Sequence, residues 1–126
     1  MIKVHNIDVY RCTVIFIVGE DERELDLFYY DNVKRMTDEE RNEIVSDMRN
    51  PRIDGCVLQT DSGSYIVWLS RFDNESVVAH EIYHVANKIL CQRGVNHDAD
   101  GEPWAYLIGH LTEVFYNWRR ELQKND

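Results

Sequence analysis

Apolar positions follow two different rhythms along this chain. Up to about residue 71 they come in short β-branched or alternating runs, and beyond it they recur every three or four residues. Segment 12–18 (CTVIFIV) shows no polar alternation after Thr13, which predicts a central strand covered on both faces. Residues 19–24 read as a charged turn. The following stretch 24–30 (ELDLFYY) alternates before it becomes aromatic, so a second strand paired with the first as a hairpin is expected. Thr37 or Asp38 caps a short polar helix over 39–48, which stops before Asn50-Pro51. Asp54-Gly55 marks a turn, 56–60 a short strand, and DSGS at 61–64 leads into a strong strand at 65–70 (YIVWLS).

Helical spacing takes over after that strand. Asp73 or Asn74 caps a helix reaching about residue 91, with Glu75 well placed in its first turn. A loop over 92–100 contains Gly94. The last helix starts around 100–103, where Pro103 is tolerated, and runs to about 123. Trp104, Ile108, Leu111, Phe115, Trp118 and Leu122 form an apolar stripe on it that must face a core. The expected architecture is α+β: a small, mostly antiparallel sheet from 4–30 and 56–70, packed on helices at 74–91 and 101–123.

Composition narrows the function classes. With 126 residues, 44% hydrophobic and 29% charged, the chain has the material of one folded domain over 1–126. A net charge of −9 sets capture of nucleic acid or an anionic membrane at a disadvantage. No apolar run reaches the roughly 18 residues of a membrane helix, and the opening MIKVHNIDVYRC lacks the pattern of a secretory signal. Cys12, Cys56 and Cys91 are scattered and odd in number, which suggests neither a disulfide framework nor a cysteine zinc site. A soluble cytoplasmic protein is therefore expected, with partners other than nucleic acid or membrane.

The most informative residues are His80-Glu81-Ile82-Tyr83-His84, an HExxH. On a helix the two histidines lie 40° apart on one face, one turn above the other, so both imidazoles can reach one zinc ion. Glu81 projects beside them, where it can polarise a water instead of ligating. A chance match in a chain of this composition has a probability of about 2%, and the motif lies mid-helix after a strong strand, its required context.

Such a site needs a third protein ligand. Asn87 and Leu90 stand three and six residues past His84, which excludes the metzincin continuation with glycine and histidine there. The remaining candidates are His97, Asp98, Asp100, Glu102, His110 and Glu113. Glu102 is favoured because it opens the next helix after a loop long enough to fold back, with Asp98 or Asp100 as alternatives. Glu102, Ala105, Tyr106, Gly109 and Glu113 share a helix face, and small Ala105 and Gly109 would let that face approach the histidine helix closely.

Residues 64 to 115 resemble the zincin metallopeptidases, specifically the gluzincin branch, and are similar to short HExxH proteins of bacteriophages and prophages. The resemblance implies that His80, His84 and Glu102 hold zinc, that Glu81 is the general base, and that strand 65–70 lies along the cleft edge where an extended peptide adds as a further strand. Where many gluzincins carry an aspartate four residues after the ligand glutamate, this chain has Tyr106. The oxyanion-stabilising group would come from Tyr83, Tyr106, His110 or Tyr116, with Tyr106 and His110 preferred.

Zinc-dependent peptide-bond hydrolysis on an extended protein or peptide substrate is thus the leading expectation. The rival is a catalytically weak or inactive zincin-like binding module acting on a host or partner protein. An acidic mimic of nucleic acid ranks lower, because the negative charge is spread along the chain.

Overall fold

The computed structural model describes residues 1–31, 35–96 and 101–124. Its elements run β1 (Ile2–Ile7), β2 (Cys12–Val18), α1 (Glu22–Asp31), α2 (Asp38–Met48), β3 (Gly55–Gln59), β4 (Tyr65–Leu69), α3 (Glu75–Gln92) and α4 (Glu102–Lys124). The strands form one mixed sheet in the order β1-β2-β4-β3. β1 with β2 and β3 with β4 pair antiparallel, while β2 and β4 lie parallel at the centre. The architecture is α+β, as the apolar patterning predicts.

Alternation along the strands divides the core in two. Val14, Phe16 and Val18 of β2, with Tyr65, Val67 and Leu69 of β4, point to one face, where α3 and α4 cover them. Ile15, Ile17, Ile66 and Trp68 point to the other, under α1 and α2. Both central strands are therefore apolar at every position but Thr13, the expected mark of strands buried on two faces. The sheet carries a helical layer on each side, whereas the sequence pointed only to the α3–α4 layer.

The predicted strand at 24–30 is corrected by the structure: it is part of helix α1. Asp21 caps this helix, its Oδ1 accepting from the backbone N–H of Arg23 at 3.0 Å and of Glu24 at 3.1 Å. Leu25 is fully buried, and Phe28 and Tyr29 pack beside it at helical spacing. The partner of β2 in the antiparallel hairpin is instead β1, with Ile7 opposite Cys12.

Other elements follow their local chemistry. Thr37 and Glu40 form a capping box at the start of α2. The second oxygen of Glu40 accepts from the Asp61 N–H at 2.8 Å, which ties α2 to the β3–β4 turn. Gly63, at φ 86°, makes that turn possible. Asn74 caps α3. On α4 the stripe buries Trp104, Leu111, Phe115 and Trp118, with Leu107 added, while Ile108 and Leu122 are half-buried at its margin.

Candidate metal site

α3 lies across β3 and β4 with Val78, Ile82, Val85, Ala86 and Ile89 turned inward. This rotation leaves the adjoining face, carrying His80 and His84, at the surface. The side chain of His80 is 65% exposed. The two rings meet edge to face with centroids 4.5 Å apart, and their Nε2 atoms are separated by 3.0 Å. Two nitrogens bound to one tetrahedral ion at 2.0–2.1 Å would stand about 3.3 Å apart. The imidazole pair therefore fits a zinc ion with only a small adjustment.

Glu81 lies in the seam between α3 and the sheet and is only 7% exposed. One carboxylate oxygen lies 3.9 Å from His80 Nε2. The seam admits this side chain because β3 begins with glycine: a Cβ on Gly55 would sit 2.9 Å from Glu81 Cγ and 3.1 Å from both Val77 Cγ1 and the Trp68 carbonyl. Burial raises the proton affinity of Glu81 above that of an ordinary glutamate, while His80 and His84 pull it back down. Sequence reading identified the HExxH but not Gly55, whose only signal was its place in a turn.

The cleft edge is corrected by the topology. Strand β4, expected there, is an interior strand paired on both sides, and β3 is the edge strand beneath α3. The free edge of β3 is thus the one nearest the buried glutamate.

Glu102 stands exposed in the first turn of α4. Two residues on, the Trp104 indole N–H donates to Asn87 Oδ1 at 3.1 Å, which fastens the start of α4 to α3 one turn beyond His84. Among the described residues, no third His, Cys, Asp or Glu joins His80 and His84 in a group able to hold a metal. His97, Asp98 and Asp100 lie outside the described residues. The predicted close approach through Ala105 and Gly109 is corrected: Ala105 and Gly109 are exposed, and nothing lies within 4 Å of a Cβ placed on Gly109. α4 docks instead through its Trp104 side.

Tyr106 and His110 are not brought to the HExxH. His110 reaches across to His5 on β1, Nε2 to Nε2 at 2.9 Å, and Tyr106 lines the same cleft. β1 is the opposite edge strand from β3, three strand spacings or about 14 Å away. Tyr116 lies under the Arg119 guanidinium, 4.5 Å from the ring centre. Of the four oxyanion candidates only Tyr83 adjoins the site, its ring centroid 5.8 Å from that of His84.

No helix among the described residues is long and apolar enough to cross a membrane. No protein-family model, curated protein or solved structure matches the chain.

Proposed function

We propose that this chain is a minimal zincin-like, gluzincin-type metallopeptidase that hydrolyses peptide bonds in an extended protein or peptide. The observation that carries the reading is the pair of surface imidazoles, Nε2 atoms 3.0 Å apart, with the Glu81 carboxylate buried alongside. His80 and His84 would hold the zinc ion, and Glu102 is the third donor this reading assigns. Trp104 supports that assignment by fixing the start of α4 close to the histidine face.

When bound, zinc supplies a Lewis acid for the scissile carbonyl and brings the pKa of an adjacent water toward about 7. Glu81 acts as general base, taking the proton of the attacking water and delivering it to the leaving amine. Tyr83, whose ring lies against His84, is 44% exposed and offers a hydroxyl on the substrate side. An extended peptide would lie along the free edge of β3, where main-chain hydrogen bonds hold it with little demand on sequence.

The decisive experiment is Glu81→Gln. Zinc content should match the unsubstituted protein, and chelator-sensitive cleavage of casein should fall by at least a hundredfold. His80→Ala should lose the ion. Unchanged cleavage by the glutamine variant would overturn the assignment of the base.

A second reading is a zincin-shaped binding module with little turnover. It is favoured by the lack, among the described residues, of a third donor grouped with the histidines. Stoichiometric zinc without casein cleavage would select it.

A further inference from the structure

We propose that His5 and His110 form a second site, for a divalent first-row transition metal ion, at the sheet edge opposite the HExxH. Their Nε2 atoms are 2.9 Å apart, nearly the separation within the His80–His84 pair, and their ring centroids are 5.0 Å apart. The two residues are 105 positions apart in sequence and belong to β1 and α4, so no helical repeat forces the rings together. A cleft of about 430 Å³ opens over them, bounded by Asp8, Tyr10, Tyr106 and Leu107. No third His, Cys, Asp or Glu among the described residues joins this pair either, so water or an exogenous ligand in the cleft would complete the coordination shell.

The chemistry of the pair favours a metal over a bare hydrogen bond. A hydrogen bond between two neutral rings engages the lone pair of one Nε2 only. A cation between them engages both, and the Asp8 carboxylate lines the same cleft. Imidazole nitrogen prefers zinc, nickel and copper to magnesium or calcium, which sets the class of ion. Tyr106 and Val9, 78% and 83% exposed, rim this cleft, so the bound ion would be open to an exogenous ligand.

The test separates this site from the HExxH. In a His80→Ala/His84→Ala background, titration calorimetry with Zn²⁺ alone should show one equivalent, and adding His110→Gln should weaken that binding at least tenfold. Loss of all zinc binding in the still-folded double variant, or its persistence after His110→Gln, would overturn the proposal. Should the double variant fail to fold, imidazole ¹⁵N spectra of the unsubstituted protein decide. Added Zn²⁺ should shift Nε2 of His5 and His110 together, and unmoved resonances would refute the site whatever happens at His80 and His84.

Discussion

Gly55→Ala is the substitution that most directly joins the fold to the proposed chemistry. Gly55 is not among the residues with positive φ, so alanine is compatible with the backbone and would ordinarily add about 0.4–1 kcal/mol of stability by restricting the unfolded chain. Here the new methyl would meet Glu81 Cγ at 2.9 Å and the Trp68 carbonyl at 3.1 Å. The carbonyl belongs to β4 and is held by the ladder, so the glutamate must give way by roughly half an ångström. With three contacts at 3.1 Å or closer, the overpacking falls in the upper part of the usual range, about 2–3 kcal/mol, and against a gain of about 1 kcal/mol leaves a net loss of about 1–2 kcal/mol. For a domain of this size that lowers the melting temperature by roughly 4–8 °C. A base displaced by half an ångström should also lose about tenfold in kcat, since errors near 1 Å reach about a hundredfold. Differential scanning calorimetry and casein cleavage read the two effects separately. A melting temperature equal to or above that of the unsubstituted protein would refute the wedge of Glu81 against β3. A lower melting temperature with unchanged kcat would refute its role in placing the base.

Two further outcomes follow from the packing. Thr37→Ala removes one half of the capping box and should cost about 1 kcal/mol, seen as a fall of about 4 °C in melting temperature with metal binding intact. Cys56 is partly buried and faces the Asp47 carboxylate; burial first, and that carboxylate next, push its pKa upward from the ordinary value of 9.0. The folded protein therefore keeps a proton that the unfolded chain releases, so this contribution is fully present below pH 9 and is lost as pH rises toward the folded value. Melting temperature should fall more steeply above pH 9 in the unsubstituted protein than in Cys56→Val, and at pH 8 a thiol reagent should modify exposed Cys91 well before Cys56.

Much of this architecture is legible in residue order because the strongest signals are local. The unbroken apolar run of β2 is a strand at its predicted bounds, and Asn74 caps α3 as its side-chain chemistry suggests. ELDLFYY shows where period alone misleads. Leu25 and Leu27 alternate like a strand, yet Leu25, Phe28 and Tyr29 also fit one helical face, and the Asp21 cap decides between them. The position of the HExxH on a helix is equally local. What residue order could not show is which strand forms the edge: β4 is the more apolar strand because it lies inside, and β3, with glycine at its start, is left outside. The meeting of His5 and His110 depends on how α4 lies against β1, which no spacing encodes.

The parallel pairing of β2 with β4 bears on how this protein is made. Val14 faces Tyr65, roughly fifty positions later, and α1, α2 and β3 all lie in the intervening crossover. Closing a span of that length carries an entropic cost that must be met before the central ladder forms. On a ribosome, β2 would emerge and wait several seconds for its inner neighbour, at the usual synthesis rate of about 5–20 residues per second. During that interval its buried edge and five consecutive apolar side chains, Val14 to Val18, are open to chaperones or to other nascent chains.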